Sequence, residues 1–405
     1  MYLIDLKIET LAWTGVWRNI FEVRLVKAGF VVFLTIICTF LLGFGYYLGT
    51  RFSGVFSPQY GLITWIAVYG IILLQIAGPI FYRIIPNRDN RYFVLRWIMF
   101  SCMGVGASMI LYTVAADCAV VVLGFLFPEK SGEISEYGVS LALSLVFVTN
   151  VVGTAQVARG PRIYHVKVPL PPALEALRGF RLAQVSDLHV GPTIGHRYAR
   201  RVTNAVNALS PDAIALTGDL IDGSVESLRE DVAPLAELRS RFGTFAVLGN
   251  HEFYWRVDEW QREFSELGFT MLNNEHRVLE FNGAKIAMAG VPDIQAGRMV
   301  KDMKSDPALA LKGAPGDAFR ILLAHQPASY KAAAAAGFHL QLSGHTHGGQ
   351  FFPFTLIVRL AQPFVKGLHR VGENFWIYVN RGTGYWGPPI RFLVPPEITL
   401  ITLGD

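Results

Sequence analysis

The chain of 405 residues is longer than one compact core usually requires, so we expect at least two folding units. Hydrophobic residues make up 52% of it and charged residues 17%, and nearly all of the apolar excess lies before about residue 158. The net charge of +5 sits largely beside apolar runs, so we predict no nucleic-acid partner. The cysteines at positions 38, 102 and 118 lack CxxC spacing, which argues against a disulfide framework or a zinc–thiolate site.

Four apolar runs reach the length of about 20 residues that a membrane-spanning helix needs. They cover residues 30–49, 61–82, 97–127 and 137–158. The first run is too long for the core of a signal peptide, and no small-residue cleavage site follows it, so we expect a retained anchor. Ahead of it, Trp13, Trp17 and Phe21 recur at helical spacing, which indicates either an interfacial helix or a lead-in to the first span.

Charges that flank these runs predict an orientation in the membrane. Basic residues precede the first run, fill the loop between the second and third, and follow the fourth (Arg18, Arg24, Lys27, Arg83, Arg88, Arg91, Arg96, Arg159 and Arg162). The loop after the third run is acidic instead, with Glu129, Glu133 and Glu136. The positive-inside rule then predicts a multi-pass protein of the cell (inner) membrane, with both termini on the cytoplasmic side. Asp117, inside the third run, indicates either the outer end of that helix or a buried functional charge.

From about residue 162 the pattern changes to short apolar strands that alternate with helical stretches. We predict strands at 181–186, 213–217, 244–248, 320–324, 340–343, 376–380 and 398–403, and helices at about 196–209, 225–239 and 255–267. Apolar runs on both sides of Asn282-Gly283 predict a hairpin. This alternation is typical of helices that cover sheets, with a site at the carboxyl ends of the strands. We therefore expect a membrane domain at 1–160 with about four transmembrane helices, and an α/β domain at 161–405.

Short polar motifs follow five of these predicted strands. They are SDLH at 186–189, GDLID at 218–222, GNHE at 249–252, AHQ at 324–326 and GHTHGG at 344–349. Asp187 and His189, like His345 and His347, would lie on one side of an extended segment. Imidazole and carboxylate groups suit divalent ions such as Mn, Fe or Zn, and two ions about 3.5–4 Å apart can activate water and stabilise both oxygens of a displacement. One such residue is usually a cap, but five motifs in succession predict a metal site.

With these motifs the sequence resembles the calcineurin-like metallophosphoesterases, in particular their bacterial membrane-associated branch. The resemblance rests on SDLH, GDLID, GNHE, AHQP and GHTHGGQ, with YVNRGTGYWGPPIRF further on, and it covers residues 168–404. It implies a four-layer α/β/β/α metallophosphoesterase sandwich after the α-helical transmembrane bundle. It also implies a metal-dependent phosphoric ester hydrolase with two divalent ions (Mn, Fe or Zn), on the cytoplasmic side of the membrane if the predicted orientation holds.

By position, the resemblance implies that one ion is held by Asp187, His189 and His347 and the other by Asn250, His325 and His345. Asp219 would bridge the ions together with a hydroxide that attacks phosphorus in line. His251 would bind no metal; it would stabilise the developing charge or protonate the leaving oxygen. Asp222 and Glu252 would orient the ligands, and Glu252 stands where the family often has Asp. His369 is a weaker candidate for the site, and we expect surface or packing roles for His165, His196, His276 and His339.

An apolar stretch follows GHTHGGQ directly, and it includes Phe351, Phe352, Pro353, Phe354, Leu356 and Ile357. One interpretation is a surface that presses on the bilayer and admits a lipid phosphate, with Arg359 and Lys366 at the head group. The other is a buried cap over the domain's own core. The predicted substrate is thus a phosphate mono- or diester, or a lipid-linked phosphate or pyrophosphate.

Two other classes of function stay open at this point. The second domain would be a metal-dependent interaction or sensor module with little turnover, coupled to a partner membrane protein. Against this, such a module would not need His251. Alternatively the spans themselves would transport or sense a solute, but Asp117 is the only clear charge inside them and offers no ion pathway. The sequence leaves the oligomeric state open.

Overall fold

The computed structural model describes residues 35–36, 38–85 and 92–404. The start of the first predicted span lies outside these residues, as do Trp13, Trp17 and Phe21. Residues 38–53 form helix α1, and α2 (Gly61–Ile84), α3 (Phe93–Leu126) and α4 (Ser131–Arg159) follow. In the described part of the chain, three helical segments are long and apolar enough to cross a membrane: Pro58–Ile84, Phe93–Leu126 and Pro128–Arg159.

The four helices pack around a small apolar core and leave many apolar side chains exposed. Phe52, Val68, Met109 and Val139 belong to that core, whereas Phe125 is 87% exposed. Such an arrangement is typical of helices whose outer surface faces lipid, because water would not favour it.

Asp117 lies within α3, which continues to Leu126. The Asp117 carboxylate forms an ion pair with Arg51 of α1 at 2.5 Å and accepts a hydrogen bond from the Tyr47 hydroxyl at 2.6 Å. Arg51 also donates to the Ser135 hydroxyl of α4 at 3.2 Å. The charge that looked isolated in the sequence is therefore neutralised by a pair that joins three helices.

Two six-stranded sheets follow the helices. The first consists of β1 (Arg162–Val168), β2 (Arg181–Val185), β3 (Ala213–Leu216), β4 (Thr244–Ala246), β5 (Thr270–Met271) and β12 (Glu397–Leu403), in the order β1-β12-β2-β3-β4-β5. The second consists of β6 (Glu275–Phe281), β7 (Ala284–Gly290), β8 (Phe319–Leu323), β9 (Leu340–Ser343), β10 (Gly367–Arg370) and β11 (Trp376–Val379), in the order β10-β11-β9-β8-β7-β6. Phe281 pairs with Ala284 across Asn282-Gly283, which confirms the predicted hairpin.

Shorter helices also occur in the α/β domain, and several of them cover the outer faces of the sheets. They are α5 (His196–Ala208), α6 (Val225–Val232), α7 (Asn250–Tyr254), α8 (Val257–Glu266), α9 (Ala296–Met299), α10 (Pro307–Ala310), α11 (Tyr330–Ala336) and α12 (Phe354–Ala361). Strand residues alternate between layers: Val185 joins Trp260 of α8 in one core, whereas Leu182 joins Ile321 of the other sheet. A third core, with Leu322 and Ala333, lies beyond the second sheet. The predicted α/β/β/α sandwich is therefore confirmed.

The apolar stretch after GHTHGGQ does not form the buried cap that was one of its two interpretations. Phe351 is buried at 5% exposure, but Leu356 is 51% exposed and Leu360 is 90% exposed. The stretch continues into α12, which presents these side chains outward on one side. Most of its apolar surface is thus available for contact with something other than the chain's own core.

The Arg51–Asp117 pair should stabilise the helices cooperatively. Replacing either residue with Ala leaves its partner's charge only 28% exposed and uncompensated, so each single variant should lower the melting temperature of the full-length protein in detergent. In the double variant Arg51→Ala/Asp117→Ala, the loss in free energy of unfolding should be smaller than the sum of the two single-variant losses by about 1 kcal/mol. Strictly additive losses in this double-mutant cycle would show that the pair carries no coupling.

Candidate metal centre

The polar motifs of both sheets meet at one edge of the sandwich. SDLH, GDLID and GNHE follow β2, β3 and β4 of the first sheet, and the other two motifs follow β8 and β9 of the second. Their side chains form three groups in which the candidate ligand atoms all lie within 4.8 Å of one another: Asp187, His189 and His347; Asp219, His325 and His345; and His189, Asp222 and His251. The structure thus brings six of the seven predicted ligands together with His251 and Asp222, and the seventh, Asn250, precedes His251 at the start of α7.

Five of the seven predicted ligands have a backbone conformation that is rare for residues with a side chain. Their φ angles are positive: 51° at Asp187, 51° at His189, 53° at Asp219, 69° at His345 and 51° at His347. Left-handed backbone costs free energy and tends to cluster at functional sites, where the surrounding structure maintains it. The expectation that each Asp/His or His/His pair lies on an extended segment is therefore wrong. Tight left-handed turns, and not strand alternation, aim these side chains at one point.

Two glycines are required where carboxylates cross neighbouring loops. A Cβ atom at Gly249 would collide with Oδ1 of Asp219, and one at Gly344 would collide with Oδ2 of Asp187. The Gly in GNHE and in GHTHGG therefore allows the close approach of two loops, in addition to any effect on the turn itself.

In the first group, two imidazole rings are stacked, with their centroids 4.9 Å apart and 28° between their planes. Nε2 of His189 lies 3.0 Å from Nε2 of His347, which in turn lies 3.5 Å from Oδ1 of Asp187. Nδ1 of His189 is hydrogen-bonded to the Asp222 carboxylate at 3.1 Å, so Nε2 is the nitrogen left for a ligand. Burial, together with the neighbouring Arg391, holds the pKa of His347 well below its usual range, which keeps its ring neutral.

The second group has the same organisation. The Nδ1–H of His325 donates to the Thr217 carbonyl at 2.8 Å, which leaves Nε2 pointing at Oδ2 of Asp219, 3.0 Å away. Burial and the nearby His325 lower the pKa of His345 to about 3, so that ring is also neutral. Burial would raise the pKa of Asp219, but His325 and His251 hold it well below its ordinary value.

The donor set fits divalent cations. Within the described residues, the buried Oδ1 of Asn250 has no hydrogen-bond partner, although buried polar atoms are normally paired. Metal binding requires neutral imidazoles and ionised carboxylates. Burial opposes the protonation of His325, but Asp219 and Asp187 hold its pKa well above the ordinary value. A cation beside these atoms would replace that proton, satisfy Asn250 and offset the buried negative charge.

His251 lies next to this donor set but is oriented differently. Its Nδ1 is hydrogen-bonded to Oδ1 of Asp222, and its Nε2 lies 3.9 Å from Oδ2 of Asp219. Burial opposes protonation, yet the carboxylates of Asp219 and Asp222 raise the pKa of His251 to about 9. The ring therefore carries a proton at neutral pH. Its neighbours Tyr254 and Trp386 place their rings 5.3 and 5.6 Å away, and both are more than half exposed.

Glu252 fastens two of the site loops to each other. Its buried carboxylate accepts hydrogen bonds from the amide of Asp219 at 3.0 Å, of Leu220 at 2.7 Å and of Gly249 at 2.7 Å. The left-handed turn at Asp219 is thus stabilised from the neighbouring strand end. Asp, which the family often has at this position, has a shorter side chain, so its backbone would have to lie closer to the same amides.

The remaining histidines lie apart from these groups. His369 is on the edge strand β10, where its Nε2 faces the Lys366 carbonyl at 2.9 Å and its ring contacts Phe364. His339 stacks on Phe319, and Nδ1 of His276 faces the Ala310 carbonyl at 2.8 Å. His196 is exposed at the start of α5. None of these rings belongs to a candidate ligand group in the described part of the chain.

The sequence reasoning assigned no role to any residue of YVNRGTGYWGPPIRF, although the segment borders the site. Arg391 is fully buried; its guanidinium donates to the His347 carbonyl at 2.7 Å and lies 2.9 Å from Nδ1 of the same ring. Gln350 holds Trp386 through two hydrogen bonds, from its amide to the Trp386 carbonyl and from the Trp386 N–H to its Oε1. An arginine and a tryptophan beside the Gly and Pro residues of this motif were the available signal.

The Glu252 contacts predict a stability effect. In Glu252→Gln, the amide nitrogen cannot accept the backbone N–H groups that the carboxylate accepts, so at least one of them loses its partner. We expect the free energy of unfolding to fall by about 1–3 kcal/mol, measured as a lower melting temperature. Glu280→Gln, in the exposed hairpin strand β6, is the matched control and should melt like the wild type. Equal melting temperatures for both variants would contradict the bracing role of Glu252.

Comparison with known proteins identifies the family. The sequence profile of the calcineurin-like phosphoesterases matches residues 180–349. A Danio rerio protein named "Transmembrane protein with metallophosphoesterase domain" is 36% identical over 322 residues, which cover 76% of this chain and 74% of that protein. A Bos taurus protein of the same name is 39% identical over 277 residues (65% and 62%), and an uncharacterized metallophosphoesterase of Helicobacter pylori is 38% identical over 224 residues (55% and 59%). The chain therefore belongs to the calcineurin-like phosphoesterases, a family of metal-dependent phosphoric ester hydrolases.

Proposed function

We propose that this protein is a membrane-anchored, two-metal phosphoesterase that hydrolyses phosphate mono- or diesters. The observation that carries the proposal is the convergence of six Asp and His side chains, five of them on left-handed backbone, near Asn250, whose buried Oδ1 has no hydrogen-bond partner among the described residues. One ion would be held by Asp187, His189 and His347, the other by Asn250, His325 and His345, with Asp219 shared between them. When bound, two divalent ions (Mn, Fe or Zn) would supply Lewis-acid stabilisation of phosphate oxygens and an activated water.

The chain's own contribution to the chemistry is the proton on His251. Asp222 fixes the ring through Nδ1, so Nε2 is the atom that faces an ester bound beside Asp219. A protonated Nε2 can donate to the leaving oxygen or stabilise the negative charge that develops on the phosphoryl group. This arrangement favours turnover over a binding module, because binding alone needs no proton donor.

Hydrolysis should require both the donor set and the proton. With the full-length protein in detergent, added Mn and chromogenic phosphate mono- and diesters, Asp219→Asn should lose activity by at least about 100-fold, because the shared carboxylate charge is gone. His251→Gln should lose about 100-fold or more while it still binds Mn. His369→Gln, outside the site, is the matched control and should keep wild-type activity. Metal-independent hydrolysis, or full activity in Asp219→Asn, would contradict the proposal.

We further propose that residues 1–160 form a multi-pass domain in the cell (inner) membrane and that residues 161–405 form the catalytic domain on its cytoplasmic side. Three apolar helices of spanning length support the first statement. The second rests on the basic residues beside the predicted cytoplasmic ends, such as Arg83 and Arg159, and on the acidic residues Glu129, Glu133 and Glu136 at the opposite end.

A lipid-borne phosphate ester is the substrate class that the surface around the site favours. The Phe352 carbonyl, just before α12, accepts a hydrogen bond from Tyr112 of α3 at 2.7 Å, and the same hydroxyl contacts Thr149 of α4. At this level of α4 the side chains of Phe147 and Val151 are 69% and 52% exposed. These would face lipid in a spanning helix, so the exposed apolar side of α12 continues a lipid-facing surface.

The same surface reaches the metal centre. Pro388 lies against Gly104 of α3, and Trp386, two residues earlier, contacts the His251 ring. An acyl chain in the leaflet would approach the His251 ring along α12 and Trp386. Arg359 lies on α12 and Lys366 follows that helix in the sequence. Both side chains would attract an anionic head group.

If the substrate is a lipid, a charge on α12 should reduce hydrolysis selectively. In Leu360→Glu, the ratio of activity on a long-chain lipid phosphate in mixed micelles to activity on a soluble chromogenic ester should fall several-fold, because burying the carboxylate in the interface is unfavourable. Leu309→Glu introduces the same charge at an exposed position of α10 and should leave the ratio unchanged. A ratio that is the same in both variants would argue for a water-soluble substrate.

A further inference from the structure

Two of the membrane helices contact the residues that hold the metal centre. The hydroxyl of Tyr82, on α2, donates a hydrogen bond to the main-chain carbonyl of Asp222 at 2.7 Å. The tyrosine is 7% exposed, and a Cβ atom at Gly223 would lie 2.6 Å from its hydroxyl oxygen, so the ring presses directly on the peptide between Asp222 and Gly223. This is a contact between residues 140 apart, from a helix outside the sandwich to a loop inside the site.

Asp222 is the residue through which this contact reaches the chemistry. Each of its two carboxylate oxygens is hydrogen-bonded to a different imidazole ring. Oδ2 is bonded to Nδ1 of His189 at 3.1 Å, and Oδ1 is bonded to Nδ1 of His251. One carboxylate thus orients a predicted metal ligand and the predicted proton donor together. A small rotation of the Asp222 backbone would change both rings, because both are held by the same side chain.

The sandwich holds this loop through the neighbouring backbone groups. The Asp222 N–H donates to the Val190 carbonyl at 2.7 Å, and the indole N–H of Trp260 donates to the Gly223 carbonyl at 2.9 Å. The Asp222 carbonyl, which lies between these two groups, accepts its hydrogen bond from Tyr82. Tyr82 of α2 therefore makes one of the contacts that hold the peptide plane preceding Gly223.

A second helix makes an equivalent contact on the opposite side of the site. The carbonyl of Gly153, on α4, accepts a hydrogen bond from the Arg391 N–H at 3.1 Å, and a Cβ atom at Gly153 would lie 3.2 Å from that nitrogen. The Arg391 side chain then holds the His347 carbonyl at 2.7 Å. Both sides of the first ligand group are thus connected to membrane helices, each through one intermediate residue.

We propose that the membrane helices complete the metal centre, and that Tyr82 is a positioning residue that acts through Asp222 on His189 and His251. The inference rests on the proposed function, since it concerns how that site is kept in order. It assigns the N-terminal helices a role in catalysis in addition to anchoring. It also implies that the α/β domain alone would bind metal more weakly and turn over more slowly than the full-length protein.

The test is a double-mutant cycle between Tyr82 and Asp222 in the full-length protein in detergent. Tyr82→Phe removes only the hydroxyl, and it should weaken Mn binding or lower kcat by about tenfold or more, with little change in KM for a soluble ester. Asp222→Asn should show a larger defect of the same kind. Because Tyr82 acts through Asp222, adding Tyr82→Phe to Asp222→Asn should cause no further loss.

Tyr47→Phe is the matched control. It removes a tyrosine hydroxyl that donates at 2.6 Å to Asp117, in a helix of the same bundle and away from the site. It should keep wild-type kcat and Mn affinity, even if its melting temperature falls as much as that of Tyr82→Phe. Equal effects of the two variants on kcat and Mn affinity would overturn the inference and leave Tyr82 with a docking role only.

The outcomes separate this inference from the proposed function. If the wild type binds Mn but hydrolyses no ester, the proposed function fails, and the Mn affinities of the variants still decide the role of Tyr82. If the wild type hydrolyses esters and Tyr82→Phe matches it in kcat and Mn affinity, only the inference fails. Additive losses in the cycle would also overturn it, because they would show that Tyr82 does not act through Asp222. A wild type that binds no metal would overturn both.

Discussion

The structure depends on one electrostatic constraint, the burial of several carboxylates within a single cluster. Asp187 and Glu252 are fully buried and Asp219 is 2% exposed, and burial raises the pKa of Asp187 and raises that of Glu252 to about 7. Ionised groups in such surroundings must be paired and hydrogen-bonded. Backbone amides serve Glu252 and Asp187, imidazoles serve Asp219, and divalent cations would supply the rest. The left-handed turns and the glycines of the motifs follow from this constraint, because they bring so many donors to one place.

The N-terminal helices also contact the residues that surround the site. The segment that contains Trp386 and Arg391 packs on glycines of α3 and α4 at one end and on metal-centre residues at the other. Tyr82 makes the corresponding connection from α2. A hydrolase that only needed an anchor would have little use for such contacts, whereas an enzyme that receives its substrate from the leaflet would gain both access and alignment from them.

Much of the fold and of the site could be predicted from the sequence, for reasons that differ from one residue to another. Strand ends such as Asp187 and Asp219 were predictable because hydrophobic runs followed by polar motifs mark the carboxyl edge of a sheet. The left-handed conformation of His189 and His347 was not, because tertiary contacts and not local propensity impose it. The role of Asp222 as a shared partner of two rings needs three dimensions to be seen. The role of Tyr82 could not be predicted for the same reason, because a tyrosine in an apolar run has the same sequence pattern as an ordinary interfacial residue.

The exposed side of α12 illustrates a different limit. Periodicity identifies an apolar stretch, but a run such as Phe354, Leu356 and Ile357 has the same composition whether it covers a core or a bilayer. The exposure of Leu356 and Leu360 excludes a cover over the chain's own core, and only the three-dimensional structure shows that exposure.

The central claim is that one chain holds two cations that share Asp219, and it can be tested without any substrate. The measurement is electron paramagnetic resonance of the full-length protein in detergent during titration with Mn²⁺. The account predicts two bound ions per chain with a spin-coupled spectrum, because a shared carboxylate keeps them within about 4 Å. It also predicts that the coupling disappears in Asp219→Asn. A single bound ion, or two ions with uncoupled spectra in the wild type, would contradict it.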